Sequence, residues 1–437
     1  MLARMTANPI TKVETNRLMA PVARFGRMAL AVSGGPDSLA LLHLGGDFAR
    51  RHGLAAPVVL TVDHDLRPGS RAEAETVARL AEELELTHAI LTWRHGPIRN
   101  GLQAIAREAR YDLMAAYCSS HNIPALATAH HLDDQAETFL MRLKRGSGLD
   151  GLAAIPEEGN WSGLTLLRPL LDVPKARLIA TTTAAGLSPV SDPSNIDPRF
   201  ERVRLRGAMA MLAELGLTPE AIALSARRLR RARSALEATV DAFLNAHSER
   251  SPAGYASVSM PALLSVPEDV GLRALARLVA AVGGSNRPVR LAKLEALFEG
   301  LRARDVRAQT LGRCQIVPVD DRLAVFREHR TSSLPKVKLQ PGHRLLWDNR
   351  FCIDLGDREP ETVTVEALGK ARAGTLAHGE GGLQRVPRLA ACTMPACRFG
   401  DGRVLLPDLG LGGVAPEPRR DGGFDCRATF LWGVRSV

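Results

Sequence analysis

Short apolar runs alternate with amphipathic segments along the first third of the chain. Each run is short enough for a buried strand, and each is followed by a segment in which apolar residues recur with helical spacing. Alternating strands and helices predict right-handed crossovers and a parallel sheet that is covered on both faces. The predicted strands are Met28–Val32, Val58–Val62, His88–Trp93 and Ala125–Ala129, and the predicted helices are Ser38–Arg50, Arg71–Glu85, Leu102–His121 and Asp133–Arg145.

Polar residues follow three of these predicted strands. Ser33, Asp63 and His130 each lie just after an apolar run. In open parallel sheets, ligands bind beyond the carboxyl ends of the strands, near the point where the strand order reverses. The pattern therefore predicts a ligand site at this edge of the sheet.

The pattern of alternating strands and helices ends after residue 145. "GSGLDGL" is a turn-rich loop, "LTLLRPLL" is a short strand leading to a helix at Pro174, and "SPVSDPSNIDPRF" is a loop. A long helix is predicted from Thr218 to His247, then a mostly helical segment over residues 250–330, then a mixed segment from about 335. We therefore expect an α/β domain (residues 1–215), a helical linker domain (216–330) and a small mixed α/β domain (331–437).

Composition adds a positive charge to this picture. The 437 residues carry a net charge of +10, which favours a polyanionic partner such as a nucleic acid. The predicted long helix concentrates arginines on one side, where they either grip phosphates or form a solvated face. These arginines are Arg227, Arg228, Arg230, Arg231 and Arg233.

The remaining composition excludes several classes of protein. No apolar run approaches the ~18 residues that a membrane helix needs, and the N-terminus does not resemble a secretory signal, so we expect a cytoplasmic protein without a membrane partner. The six cysteines form no zinc, cluster or disulfide pattern and are expected to be reduced structural thiols.

The first strand leads into a helix through Ser33-Gly34-Gly35-Pro36-Asp37-Ser38. Glycines let the backbone approach a ligand closely, and the helix directs free N–H groups and its positive dipole end at the loop. The lysine of a Walker-type loop is missing, and Asp37 instead places a carboxylate beside the bound anion, which is reasonable if Mg²⁺ bridges them. The string resembles the pyrophosphate loop of the PP-loop ATPases, which cleave ATP to AMP and pyrophosphate. That resemblance implies a Rossmann-like fold of the adenine nucleotide alpha hydrolase type.

A second group of polar residues lies in "ATAHHLDDQAETFLMRLKRGSGLDGL". Asp133 and Asp134 fall in the first turn of a predicted helix, where a structural capping role for Asp133 is an open alternative. Asp134 and Glu137 are three residues apart and share a helix face. Two neighbouring carboxylates repel each other unless a cation lies between them, either a metal ion or an amino-group substrate.

This segment resembles the HHxDDxxET…RxxRGSGxxGL signature of the tRNA(Ile)-lysidine synthases. Further stretches agree in order: "TVDHDLRPGSRAEA", "AREARYDL", "RPLLDVPKARL", "SDPSNIDPRFERVRLR" and, more weakly, "WDNRFCIDL". Apart from the last, the resemblance runs from about Met28 to Arg206. One position departs from the family pattern, because Val203 stands where relatives usually have Asn. The role of that amide in relatives is therefore filled differently here or is not needed.

The resemblance implies an ATP-dependent ligase that joins free L-lysine to C2 of the wobble cytidine of the CAU-anticodon isoleucine tRNA. The reaction would pass through an adenylated cytidine and release AMP and pyrophosphate, with ATP and Mg²⁺ as cofactors. The implied ATP-binding residues are Ser33, Gly34, Gly35, Pro36, Asp37, Ser38 and Asp63, with Asp37 also as the metal ligand. The implied catalytic residues are Asp37, His130 and Arg110; Asp134 and Glu137 would bind lysine, and Arg202, Arg204 and Arg206 would bind tRNA. The resemblance also implies that residues 1–215 are the catalytic domain and that the domains 216–330 and 331–437 bind tRNA. Without the family, Arg107 and Arg110 are equally well explained as a solvated helix face.

Two other functions remain as alternatives. A PP-loop tRNA thiolase would carry paired CxxC cysteines or a catalytic cysteine near the loop, and this chain has neither. A basic RNA-binding protein with an inactive nucleotide site is the other, and the intact Gly34, Gly35, Asp37 and Asp134 argue against it. The sequence does not define the oligomeric state or the tRNA identity contacts of the C-terminal domains.

Overall fold

The structure is a computed structural model that divides into two compact units. The first unit runs to Ser234 and the second comprises residues 235–434. The division into three domains at residues 215 and 330 stays a prediction. Most of the predicted loop "SPVSDPSNIDPRF", namely residues 191–198 and 200, lies outside the described residues. The structure describes residues 7–66, 69–96, 101–190, 199, 201–285, 288–305, 307–329, 334–376, 386–410 and 425–432.

The described part of the first unit is built on a six-stranded sheet with the order β3-β2-β1-β4-β6-β5. All neighbouring strands are parallel except β5 and β6, which form an antiparallel pair. The predicted parallel α/β sheet is therefore confirmed, and the chain reverses its direction of travel between β1 and β4. The strands are β1 Met28–Ala31, β2 Val58–Asp63, β3 His88–Thr92, β4 Ala125–Ala127, β5 Glu158–Trp161 and β6 Leu164–Leu167.

Helices cover both faces of this sheet, because neighbouring strand residues point to opposite sides. Leu30 belongs to a core on one face and Ala29 to a core on the other face, which also contains Met114. The predicted turn after residue 145 contains one short helix, α6. The helices are α1 Lys12–Ala23, α2 Pro36–Arg51, α3 Ser70–Glu83, α4 Leu102–Ser120, α5 Leu132–Lys144, α6 Leu149–Leu152, α7 Lys175–Ala184, α8 Glu201–Glu214 and α9 Pro219–His247.

The second unit corrects the prediction that residues 250–330 are mostly helical. This segment contributes most of a five-stranded antiparallel sheet with the order β7-β8-β11-β10-β9, against which helices pack. Pro318 within one of these strands argues against a strand when the sequence is read alone. The strands are β7 Ser248–Ser251, β8 Tyr255–Ser259, β9 Gln309–Leu311, β10 Cys314–Val319 and β11 Arg322–Arg327, with helices α10 Met260–Ser265, α11 Glu268–Gly283 and α12 Leu291–Arg302.

The described C-terminal residues form two smaller sheets, as the predicted mixed composition indicates. One is the four-stranded β12-β15-β16-β17 and the other the three-stranded β13-β14-β18. The strands are β12 Val337–Leu339, β13 Arg344–Trp347, β14 Phe351–Leu355, β15 Val363–Ala367, β16 Pro395–Arg398, β17 Val404–Leu405 and β18 Cys426–Phe430, with helices α13 Lys370–Leu376 and α14 Arg388–Ala391.

A buried charge cluster lies at the turn between β13 and β14, within "WDNRFCIDL". The Asp348 carboxylate accepts hydrogen bonds from Arg327 at 3.0 Å, Arg350 at 2.8 Å and Arg313 at 3.1 Å. Arg350 is fully buried, and burial lowers its pKa to about 10 although Asp348 opposes the shift. This part of the resemblance therefore marks a structural turn in the second unit.

No single helix among the described residues is long and apolar enough to cross a membrane. The helices α8 and α9 pass such a test only as a pair, on length and composition, and they are bent by 98° at the break between them.

Candidate active site

At Gly34, the loop after β1 lies close to two valine side chains. Gly34 has a φ of +87°, a conformation that side chains resist, and a Cβ atom there would lie 3.2 Å from the side chains of Val77 and Val190. The Val190 N–H donates to the Gly34 carbonyl at 2.9 Å. A glycine is therefore required at this position for the loop to fit under its neighbours.

Serine hydroxyls hold the loop in shape at the start of α2. The Ser33 N–H donates to the Ser38 hydroxyl at 3.2 Å, and that hydroxyl donates to the Gly35 carbonyl at 2.9 Å. Helix α2 begins at Pro36, and its positive dipole end and free N–H groups face the loop. The predicted anion cradle is thus a fixed turn at a helix N-terminus, located where the strand order reverses.

His131 is the centre of the second group of residues, although sequence reasoning favoured His130. Its side chain is 2% exposed, and its Nε2 lies 3.5 Å from carboxylate oxygens of both Asp37 and Asp134. Its Nδ1 lies 3.5 Å from Asp133 Oδ2. Burial opposes protonation, but the three carboxylates outweigh it and raise the pKa of His131 to about 9. The ring is therefore an imidazolium that holds the first turns of α2 and α5 together.

Lys175, at the start of α7, is a second cation that sequence reasoning missed. Its Nζ lies 3.4 Å from Asp37, and its backbone N–H donates to the Asp133 carboxylate at 2.8 Å. Asp133 therefore caps a helix, as the structural alternative required, but the capped helix is α7 and not its own. Asp134 accepts the His131 N–H at 3.1 Å and so takes part in the cap of α5.

Asp37 has one carboxylate oxygen free for a ligand. Burial raises its pKa, but His131 and Lys175 outweigh burial, so that the pKa of Asp37 is lowered and the group is ionised. Its Oδ1 is buried without a hydrogen-bond partner among the described residues. The described chain contains no group of three or more His, Cys, Asp or Glu side chains that holds a metal by itself. One free carboxylate oxygen beside an anion cradle fits Mg²⁺, which binds through one or two carboxylates together with phosphates.

A cation does lie beside Asp134 and Glu137, but it is Arg206 of α8 and neither the metal ion nor the amino-group substrate that the sequence predicts. Its Nε donates to Glu137 Oε1 at 2.5 Å, its Nη2 donates to Oε2 at 3.3 Å, and Nη2 lies 4.0 Å from Asp134. Burial of Glu137 raises its pKa, and Arg206 opposes that shift. The predicted lysine-binding role of this pair and the tRNA-binding role of Arg206 stay predictions.

Carboxylates and cations are matched in this cluster among the described residues. Protonated His131, Lys175 and Arg206 lie against the carboxylates, and the positive charge of Arg202 also acts on Glu137. The carboxylates are those of Asp37, Asp133, Asp134 and Glu137.

His130 points away from this cluster. Its Nδ1 lies 2.8 Å from the Thr128 hydroxyl. Burial and then the positive charges of nearby Arg168, Arg107 and Arg202 hold its pKa well below the usual value. The ring is therefore neutral, and the positive charge expected at His130 is supplied by the surrounding arginines.

Asp63 and the arginines of α8 are the remaining residues that the sequence predicts for the site. Asp63 is the last residue of β2, and its Oδ1 accepts hydrogen bonds from the Ser70 hydroxyl at 2.6 Å and the Asp65 N–H at 3.1 Å. Arg202 and Arg206 are one helical turn apart on α8 and both face the site, whereas Arg204 donates to the Arg199 carbonyl at 2.9 Å.

The arginines of α9 form two sets with different surroundings. The inner set lies against acidic residues of the first unit: Arg227 is 3.5 Å from Asp172, Arg230 is 3.5 Å from Glu157, and Arg233 is 3.0 Å from Asp150. Arg228 and Arg231 form the outer pair, and both are exposed.

Fold and site together define a PP-loop enzyme that uses ATP, and residues 7–212 match the family model of the PP-loop domain. A tRNA(Ile)-lysidine synthase of Methylobacterium nodulans is 48% identical over 301 residues, 67% of this chain and 87% of that protein. Another, of Anaplasma marginale, is 31% identical over 410 residues, 87% of this chain and 86% of that protein. The chain belongs to the tRNA(Ile)-lysidine synthase family and is a ligase. A solved U34-tRNA thiolase, NcsA of Methanococcus maripaludis, aligns with a TM-score of 0.44 at 16% identity over 50% of this chain and 77% of that one.

Proposed function

We propose that the enzyme attaches free L-lysine to C2 of the wobble cytidine of the CAU-anticodon isoleucine tRNA. In the first step, O2 of the cytidine attacks the α-phosphorus of ATP and pyrophosphate leaves. In the second step, the lysine ε-amine attacks C2, AMP leaves with the oxygen, and the nitrogen loses a proton. The observation that carries this proposal is the acidic cluster around His131, which joins Asp37 of the anion cradle to Asp134.

The cradle and Asp37 account for the first step. The N-terminus of α2 and the glycine loop would hold the pyrophosphate, since backbone N–H groups and the helix dipole favour anions. Mg²⁺ would be held by the free Oδ1 of Asp37 and would neutralise charge that develops on the phosphates. His131 and Lys175 fix the Asp37 carboxylate in place, so that the metal ligand is oriented before ATP arrives.

Arginines next to the cradle account for stabilisation of the adenylated intermediate. Arg107, Arg168 and Arg202 surround the neutral His130, and Arg110 lies on the same helix as Arg107. Fixed positive donors directed at developing charge lower an activation barrier because they need no reorganisation during the reaction.

Asp134 and Glu137 account for selection of the lysine amine. Glu137 is almost completely buried, so its carboxylate attracts a cation more strongly than an exposed one does. A lysine ammonium would share these carboxylates with Arg206.

The test of the first step is ATP–pyrophosphate exchange with and without the isoleucine tRNA transcript. We expect exchange that depends on tRNA and needs no lysine, and we expect Asp37→Ala to abolish AMP formation while the circular dichroism spectrum is retained. A transcript with uridine in place of the wobble cytidine is the matched control. Wild-type rates of AMP formation in Asp37→Ala, or no exchange by the wild type, would contradict the proposal.

A further inference from the structure

The side chain of His64 makes a direct contact with Arg110 that the proposed function does not use. Arg110 donates to His64 Nε2 from Nε at 3.2 Å and from Nη2 at 3.0 Å. A guanidinium has donors only, so Nε2 must offer a lone pair. The imidazole is therefore neutral and carries its proton on Nδ1.

The surroundings of His64 favour this neutral form. Burial is the largest effect, and Arg110 of α4 and His95 after β3 also lower its pKa, while Asp63 of β2 opposes them. The net result is a pKa of about 4 for His64. The His64 carbonyl oxygen lies 3.2 Å from His95 Nε2, and the Trp93 ring meets the imidazole edge-on at 6.1 Å, so the ring is held from several sides.

The same contact leaves a polar atom of His64 unsatisfied. Its Nδ1 is buried and has no hydrogen-bond partner within the described part of the chain. A buried N–H without a partner destabilises a fold. The other tautomer would direct an N–H at the guanidinium, so the contact with Arg110 requires the tautomer that leaves Nδ1 unpaired. A buried group left unsatisfied in this way calls for an explanation, and a functional role is one.

We infer that His64 is a positioning residue, which fixes the Arg110 guanidinium at the carboxyl edge of the sheet for the adenylation step. This inference rests on the proposed function, because that function places Arg110 at the reacting centre. Arg110 is exposed on α4, and an arginine side chain without a fixed partner samples many rotamers. A carboxylate partner would hold it equally well but would neutralise it. A neutral imidazole holds the guanidinium and leaves its full charge available to the intermediate.

The kinetic test compares His64→Ala, His64→Gln, Arg110→Ala and the double variant His64→Ala/Arg110→Ala. We expect His64→Ala to lower kcat for tRNA adenylation about 10- to 100-fold, because a misplaced catalytic group loses its near-attack geometry, with KM for ATP nearly unchanged. His64→Gln should recover most of this loss, since its amide oxygen also accepts from a guanidinium. The double variant should be no slower than Arg110→Ala alone, because His64 acts through Arg110.

Other kinetic results would overturn the inference. These are an unchanged kcat in His64→Ala, a His64→Gln variant as slow as His64→Ala, or losses that multiply in the double variant. Absence of adenylated tRNA with the wild type would instead contradict the proposed function.

An independent readout is NMR of the full chain with ¹⁵N-labelled histidine, in which the His64 signal is assigned by its loss in His64→Gln. We expect an Nδ1–H tautomer that protonates only below pH 5, and a higher pKa in Arg110→Met, where the neighbouring positive charge is gone. A wild-type His64 ring that titrates near its ordinary value, or carries its proton on Nε2, would overturn the contact itself.

Discussion

At the residue scale, sequence reasoning singled out most residues of the cluster but did not single out His131 at its centre. The glycine loop, Asp37 and the Asp134–Glu137 pair follow from local spacing, and the structure brings Asp37 and Asp134 to the same imidazole. Adjacent histidines point to different sides, and only the fold decides that the ring of His131 faces the carboxylates. Lys175 was missed because it reaches Asp37 from a helix far along the chain.

The pairing of Glu137 with Arg206 leads to a prediction about lysine use. In Glu137→Gln the charge-assisted contact to Arg206 is weakened, and the proposed contact to the lysine ammonium would be lost. Loss of one charged partner at a buried site raises KM for lysine by about 30- to 1,000-fold, or about 2–4 kcal/mol. Adenylation of tRNA without lysine should be much less affected. Steady-state kinetics in lysine and ATP separate these effects.

Glu158→Gln is the control for this prediction, because Glu158 forms an exposed pair with Arg24 and does not belong to the acidic cluster. Its KM for lysine should stay near the wild-type value. If Glu137→Gln instead loses adenylation while its lysine dependence is normal, the acidic pair serves ATP and the metal, and the assignment to lysine is wrong.

At the element scale, periodicity predicts the strands and helices between residues 28 and 145 to within a few residues at each end, whereas α1, β5 and α8 were not predicted. Long amphipathic segments such as Thr218–His247 are well defined, because burial repeats every turn. The strands of residues 248–327 were not recognised, since pairing partners far apart in sequence define them. Ser257, for example, pairs with Ala324 of β11.

Helix α1 is held to the rest of the first unit by an ion pair between Glu14 and Arg177, whose strength depends on pH. Arg177 donates to both Glu14 oxygens at 2.8 and 2.9 Å and to the carbonyls of Asn8 and Pro9. Hydrogen bonds from Arg177, then from Thr11, lower the pKa of Glu14 to about 2 from 4.5. A lowered carboxyl pKa adds stability above the unfolded pKa that is lost as the pH falls toward the folded pKa.

We therefore expect hydrogen exchange in α1 to accelerate between about pH 4.5 and pH 2 relative to the strands of the sheet. Glu14→Gln should show faster exchange at pH 7 and a weaker dependence on pH in this range. An α1 whose exchange relative to the sheet is independent of pH in the wild type would contradict this role of Glu14.

The two arginine sets of α9 make separate predictions for tRNA binding. If the exposed Arg228 and Arg231 contact phosphates, replacing both by Ala should reduce the slope of log K against log salt by about one unit per contact. Filter binding from 50 to 300 mM salt measures this slope.

The matched control for α9 is Arg230→Ala/Arg233→Ala, which removes contacts to Glu157 and Asp150 but keeps the outer pair. Its slope should stay close to that of the wild type. A slope that is unchanged in Arg228→Ala/Arg231→Ala would identify the outer pair as a solvated face, the alternative that the sequence left open.

At the scale of the whole molecule, the sequence indicated a basic protein with an ATP-binding domain followed by further folded chain. It did not reveal the buried charges of the second unit, because the arginines that surround Asp348 come from separate strands and turns. Arg313 and Arg327 are far from Asp348 in sequence, and only the fold brings them together.

The Asp348 cluster predicts a weak point for stability. Asp348→Asn would leave the buried guanidiniums of Arg327 and Arg350 without their counterion. Breaking a buried ion pair destabilises a protein by about 3–5 kcal/mol. Urea unfolding followed by fluorescence of the buried Trp347 should show an earlier transition in the second unit. Asp354→Asn, which removes an exposed pair with Arg344, is the control and should shift the transition little.

The measurement that tests the central claim most directly is nucleoside analysis after incubation of the enzyme with ATP, ¹⁴C-lysine and the isoleucine tRNA transcript. The account predicts labelled lysidine at the wobble position, with one AMP and one pyrophosphate released for each lysine incorporated. It also predicts no product with Asp37→Ala or with the wobble cytidine replaced by uridine. AMP formation without incorporation of lysine into nucleoside, or lysine incorporation at another nucleotide, would contradict the account.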